Sequence, residues 1–366
     1  MTSEFKNIAG SLLIDASAAF LNGAGLGSGE DRNKVIPKTF KEKVNGKAED
    51  VPYVSAQAWR RWLRNTTNEE NAWSPSELKA VDVSAKGSTN KIATELNPID
   101  FPEDDLFGYM KAGGKKKESD EDKDAEKEDK SKKSETKDES IQRTSPFKSS
   151  ILKGIKNMRT LTDDEAFVHL KEGTPLPYTT RFYSTHLEGF FNLEYYRLGV
   201  FDNLGSRVEL SKETITKYNY KLNETPIGKF KRYTLKDAEV SRKERAAGLL
   251  KGLVHLRGGA KMAAFGSDVA PKVLIFAGLS TANPIFNNLF EGKLENPVLK
   301  IETLKEIATD YKDKLATPIY IGLRAGYLAN EDEVKKLNNE EGFKVYPPIE
   351  AVKQFTENEL KLKVDK

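Results

Sequence analysis

Residues 54–64 run Val54-Ser55-Ala56-Gln57-Ala58-Trp59-Arg60-Arg61-Trp62-Leu63-Arg64. Read as a helix at about 100° per residue, the stretch separates into two faces. Trp59, Trp62 and Leu63 fall within roughly a third of the circumference, the share that docks on a sheet. Gln57, Arg60, Arg61 and Arg64 occupy the opposite arc. Ser55 sits where an N-cap hydroxyl receives the first free backbone N–H groups. A helix N-terminus attracts anions, and guanidiniums match phosphate geometry. Taken alone, the stretch is either an amphipathic helix with a solvated basic face or a helix start built for a polyanion.

The rest of the chain sets the limits. Its 366 residues are enough for one large or two ordinary domains, with 37% hydrophobic and 31% charged residues. There is no cysteine, which excludes disulfides, thiolate metal sites and a Cys nucleophile and fits a cytoplasmic protein. The first residues carry no secretory pattern, and the longest apolar run, Val273–Ala277, is far too short to cross a bilayer. Net charge is +3. Residues 115–139 hold nine lysines and eleven acids, so the remainder carries +5. That permits a basic groove without announcing one.

In chain order, residues 5–14 alternate Ile8, Gly10, Leu12 and Ile14 on one side and predict a strand. Residues 22–34 place four glycines at alternate positions, a loop whose backbone can approach a ligand closely, with Arg32 and Lys34 at its end. The spacing matches neither a dinucleotide nor a P-loop fingerprint. An extended segment at 35–44 leads into the opening helix. Beyond it, Ser76–Val81 and Glu103–Met110 are short helical candidates. Residues 113–140 are low-complexity Lys/Asp/Glu/Ser, too polar to fold. Thr162–Lys171 reads as a helix capped by Thr162, with Asp163, Asp164 and Glu165 in its first turn. Aromatic alternation at 178–201 predicts strands. A hairpin is expected within 203–234, a second helix over 237–256 ending at Gly258-Gly259, and a strand at 272–279. Strand, helix, strands, helix and strand suggest an α+β fold, an antiparallel ferredoxin-like sheet with two helices on one face.

Catalytic constellations are scarce. His169, His186 and His255 lie far apart and fit no metal-binding spacing, and no nucleophile elbow is present. Asp31, in the glycine loop, is the best single catalytic candidate, a carboxylate that either promotes RNA cleavage or simply caps the loop. Arg257-Gly258-Gly259-Ala260-Lys261 offers close backbone access and charge, or a simple helix stop.

These pieces together resemble a known family. The Gly-rich loop from Asn22 to Lys34, Val54-Ser55-Ala56-Gln57-Ala58-Trp59-Arg60-Arg61, Gly259-Ala260-Lys261 and Tyr183-Ser184-Thr185-His186-Leu187-Glu188-Gly189 look like the backbone subunit of type I CRISPR Cascade complexes, in the DevR-like autoregulator branch of subtype I-B. The resemblance runs from residue 5 to about residue 330. It implies a right-hand shape: an RRM-like palm (1–66, 180–205, 235–330), a fingers insertion (67–179), a thumb hairpin (206–234) and a C-terminal extension (331–366). It implies a non-catalytic protein without cofactor or metal, polymerised head to tail along CRISPR RNA with other Cascade subunits and pairing target DNA through the guide. Asn22, Lys34, Ser55, Gln57, Arg60, Arg61 and Lys261 match positions used around RNA phosphates, and Gly259 joins them as a site residue from the same motif as Lys261. Arg32, Arg64 and Arg143 join them on chemistry alone. Two other readings stay open: a metal-dependent ribonuclease using Asp31, as in type III relatives, and a DNA-binding autoregulator.

Overall fold

The computed structural model describes residues 5–25, 33–44, 46–83, 89–112, 140–156, 158–168, 171–205, 207–293 and 295–362. The charged segment 113–139, the glycine-loop residues 26–32 and His169 lie outside the described residues. The chain divides into two compact units, Met1–Ser74 with Pro146–Leu198 and Arg242–Lys366, and Pro75–Ser145 with Gly199–Ser241.

Strand β1 (Asn7–Ala19) is the centre of the first unit. It carries helix α1 (Ala56–Glu70) after it, then strands β2 (Leu152–Gly154) and β3 (Leu176–Leu193), helix α2 (Ala238–Val254) and strand β4 (Val273–Leu279). In space the order is β4-β1-β3-β2, with each neighbouring pair antiparallel, inside an eleven-stranded sheet. Residues Asn7–Ile14 are buried without interruption, more than the alternation in the sequence suggested, because this sheet is covered on both faces. On one face Trp59 meets Phe147 edge-on at 5.8 Å between ring centroids, and Phe147 stacks on Phe191 at 6.1 Å. On the other, Ala9, Leu13 and Ile275 pack with Phe286, Leu289, Leu304 and Val334. Gly10 is required here, since a Cβ would lie 2.5 Å from the Ile275 carbonyl oxygen and 2.7 Å from the Phe191 ring. Helix α2 meets α1 and the residues just after it through two glycines one turn apart. A Cβ on Gly252 would meet Thr67, and one on Gly248 would meet Trp73.

Several expectations change. Thr162–Lys171 is not a helix: Thr160–Val168 is a strand paired with the first half of β3. Asp163 faces Arg181 across that pair and takes its guanidinium at 2.6 and 2.9 Å. A cross-strand ion pair thus takes up the acid that read as a helix-dipole partner. Ser76–Val81 is not helical either, since Lys79–Val83 pairs with Thr89–Ala93. The 67–179 segment is divided between the units, with 147–168 supplying strands to the first unit's sheet. The C-terminal region joins the sheet as well. Strand Phe343–Tyr346 lies parallel to Ile319–Leu323, and Phe355 is buried 5.1 Å from Phe276 and 5.3 Å from Tyr320.

The second unit contains a six-stranded sheet that includes the hairpin of strands Leu222–Ile227 and Phe230–Leu235. Its short helix Pro102–Phe107 buries Glu103, Asp104 and Asp105 side by side, and together they hold three other segments. Glu103 accepts from the Ser76 backbone N–H, Asp104 from the Ser76 hydroxyl and the Asn97 N–H, and Asp105 from the Gly199 N–H. Asp105 and Glu209 together enclose Arg143, all three essentially without solvent exposure, and the guanidinium also lies 4.7 Å from the Phe201 ring centroid. Among the described residues no helix is long and apolar enough to cross a membrane.

Removing one partner of such a buried cluster leaves its charges uncompensated. Arg143→Met is therefore expected to lower unfolding free energy by about 3–5 kcal/mol, measurable as a shifted urea transition.

Candidate nucleic-acid interface

Four segments of the first unit meet around the start of α1. Ser55 caps the helix: its hydroxyl accepts from the Ala58 N–H at 3.3 Å. Its own N–H donates to Asn22 Oδ1 at 3.0 Å, so Asn22 ties the chain just after β1 to the helix start. That leaves Asn22 its NH2 group to offer a ligand. Trp59 and Leu63 are fully buried, and the Trp59 indole N–H donates to the Ser150 carbonyl at 2.7 Å. Trp62 is half-buried, with its ring against the loop that follows α2.

That loop is shaped by contact. Gly258 (φ +151°) leaves no space for a side chain, since a Cβ would come within 2.2 Å of Trp62 Cγ. Gly259 (φ +129°) approaches Leu21 and Met262 almost as closely. The Ala260 N–H then donates to the Leu21 carbonyl at 2.9 Å. Lys261 follows in the left-handed region (φ +51°), uncommon for a residue with a side chain. Its ammonium donates to Thr180 Oγ1 at 3.0 Å and lies 5.4 Å from the Phe20 ring centroid. Thr180 is buried and bridges to Val35, next to Lys34. Residues 20–22, 34–35, 55–62, 179–180 and 258–261 therefore form one anchored patch. Sequence reading missed Thr180 and Phe20. Neither carries a local signal, because their link to Lys261 depends on the sheet bringing distant segments together.

The basic arc of α1 opens onto this patch over its first turns only. Gln57 and Arg61 are exposed. Arg60 is half-buried, 6.0 Å from the Phe147 ring centroid. Burial lowers the pKa of its guanidinium, which starts so high that it stays cationic at neutral pH. Further along the same stripe, Thr67 meets Gly252, and Asn71 Nδ2 donates to the Gly248 carbonyl at 3.1 Å. Arg64 sits on that stripe just before the covered part and is only 9% exposed. The arc drawn from periodicity is thus shortened by the second helix, and Arg64 does not share the exposure of Gln57 and Arg61.

The remaining candidates separate. Lys34 lies 3.7 Å from Asp163, whose carboxyl is held below the usual range chiefly by its hydrogen bond from Arg181. A negative charge therefore flanks the patch there. Arg143 is not part of the patch. It is buried in the second unit between two carboxylates, a cation committed to folding. Arg32 and Asp31 lie outside the described residues. His186 is half-buried, and burial depresses its pKa. His255 Nδ1 lies 3.0 Å from the Lys251 carbonyl oxygen. Among the described residues no group of three or more His, Asp or Glu side chains is placed to hold a metal ion.

No family model matches this chain, and no curated protein does. Solved structures similar to it include a chain of a CRISPR RNA-guided surveillance complex (10% identity, covering 96% of this chain and 98% of that one, TM-score 0.49). A second is a chain of such a complex in a pre-nicking form (11% identity, 96% and 98%, TM-score 0.49). A third is Csc2 of Thermofilum pendens (14% identity, 84% and 76%, TM-score 0.33). At identities this low and TM-scores below 0.5, the site is judged on its own chemistry.

That chemistry is a fixed array of donors and cations on a backbone that a ligand can approach. It suits phosphate diesters, held by geometry rather than by base identity. Gly258→Ala tests how the loop is held. Displacing the loop from Trp62 is expected to cost about 1–3 kcal/mol and to shift tryptophan fluorescence, read together in one denaturant titration.

Proposed function

We propose that this chain is a non-catalytic scaffold that holds CRISPR guide RNA in a type I surveillance complex of subtype I-B, in the cytoplasm. Copies bind head to tail along the guide with other Cascade subunits, and the guide so presented pairs with target DNA. The observation that carries the proposal is the convergence of two motifs about 200 residues apart in sequence. The capped start of α1 and the Gly258–Lys261 loop are fixed to each other through residues 20–22. Both are among the motifs on which the chain resembles the Cascade backbone family, and both present groups suited to phosphate.

In this reading the β4-β1-β3-β2 core with its two helices is the palm, and the second unit carries the fingers and thumb. Asn22, Ser55, Gln57, Arg60, Arg61, Gly259 and Lys261 line the RNA backbone, with Lys34 at the rim. Sequence is read by base pairing, so the protein needs shape and backbone contacts rather than base-edge recognition. The modest net charge is sufficient, because each copy adds a few phosphate contacts along one RNA. Thr180 acts as a positioning residue that aims the Lys261 ammonium.

Arg61 and Lys261 are exposed, so reversing their charge leaves the core intact. The Arg61→Glu, Lys261→Glu variant is expected to lose at least about tenfold in guide RNA affinity at physiological salt, with a shallower dependence of log Kd on log salt. It should also be purified without discrete short RNA. An RNA content equal to that of the parent protein would contradict the proposal.

A further inference from the structure

The last turn of α1 carries two acids, Glu69 and Glu70, and no basic residue. Free backbone carbonyls make that end of a helix partly negative, so carboxylates there need a cation from elsewhere. The cations come from the last turn of α2 and the residues after it. The Lys251 ammonium donates to the Glu70 carbonyl at 2.6 Å. Arg257 divides its guanidinium between the two acids, Nη1 donating to Glu70 Oε1 at 2.6 Å and Nη2 to Glu69 Oε2 at 2.8 Å. The hydrogen bond from Arg257 is the main cause holding the Glu70 carboxyl below its usual range. The backbone of Arg257 is held as well. Its N–H donates to the hydroxyl of the buried Thr66 at 3.1 Å, and that hydroxyl donates to the Arg257 carbonyl at 3.4 Å.

These contacts stand directly before the loop that carries Lys261. Arg257 is fixed against Thr66, Gly258 against Trp62 and Ala260 against Leu21. The loop therefore runs back along α1 from its end towards its start, and residue 257 is the first of three anchor points. With its side chain 51% exposed, Arg257 would suit a phosphate on charge alone. Both terminal nitrogens of its guanidinium are instead committed to carboxylates. Exposed ion pairs contribute little to global stability. What this one decides is local, the place from which the loop begins.

We propose that Arg257 is a positioning residue for nucleic-acid binding. Clamped by Glu69 and Glu70, it fixes the start of the 258–261 loop and so sets where the Lys261 ammonium meets a phosphate, without touching the nucleic acid itself. This rests on the function proposed above and adds to it a residue outside the phosphate-facing set. It also gives the two acids at the end of α1 a purpose: they hold the arginine in place as an anchor.

Two measurements on the full chain test this: hydrogen exchange without RNA, and affinity for a labelled RNA oligonucleotide of about 20 nucleotides. Arg257→Met is expected to speed exchange of the peptide spanning 258–265 by about tenfold or more, as the Ala260 N–H leaves the Leu21 carbonyl more often, with peptides of α1 unchanged. It is expected to bind the RNA about fivefold more weakly and to lose about 1 from the slope of log Kd against log salt, as Lys261→Gln does. Combined with Lys261→Gln it adds no further loss, because it acts through that ammonium. Exchanging the charges, Glu70→Arg with Arg257→Glu, is expected to recover both slow exchange and most of the affinity. A urea transition matching the parent's verifies the fold of each variant. Unchanged exchange in Arg257→Met would overturn the proposal, because the loop then stands without the clamp. A loss that adds in full to that of Lys261→Gln would overturn it too, as would a charge exchange that restores slow exchange but not affinity. Both would make Arg257 itself a phosphate contact. Parent affinity in Lys261→Gln would refute the guide RNA function, and with it the part Arg257 plays in binding, whatever the exchange measured without RNA.

Discussion

The ring of Trp62 leaves Gly258 no room for a side chain, and that close approach fixes where the next residues go. Gly259 presses on Leu21, Ala260 donates to the Leu21 carbonyl, and Lys261 is turned into a left-handed conformation over Phe20. Residues 20–22 in turn lead to Asn22, which holds the N–H of Ser55. A cation and a helix start far apart in sequence are thereby fixed relative to each other before any ligand arrives. Such preorganisation lets a few contacts hold a flexible polyanion, because less ordering remains to be done on binding.

The same helix shows how packing edits a sequence pattern. The burial of Trp59 and Leu63 was legible from 3.6-residue periodicity, and so was the Ser55 cap. The basic arc was legible as a stripe but not in extent. The length over which it stays open is decided by α2, whose Gly252 packs on Thr67 and whose Gly248 packs on the residues just after α1, so that the stripe is covered from Thr67 onward. Arg143 makes the same point more strongly. A lone arginine in a polar stretch reads as a surface cation, and nothing local reveals that Asp105 and Glu209, 38 and 66 residues away, enclose it.

Helix and strand were confused where local chemistry was ambiguous. Thr162-Asp163-Asp164-Glu165 has the composition of a helix start, yet cross-strand pairing of Asp163 with Arg181 decides for a strand. Strands β1, β3 and β4 and the two helices were more readable, from apolar runs and helical spacing, whereas β2, only three residues long, carried no such signal. Where residues 331–366 pack was not readable, although the helix Pro348–Asn358 was: a four-residue strand and Phe355 become part of the core only because Ile319–Leu323 is there to receive them.

The central claim is that the start of α1 and the 258–261 loop hold one nucleic-acid backbone together. Ultraviolet cross-linking of the protein purified with its RNA, followed by mass spectrometry of the nucleotide-bearing peptides, tests this most directly. Adducts are expected on peptides from both 55–64 and 258–265 in the same preparation. Adducts found elsewhere in the chain but on neither of these segments would contradict the account.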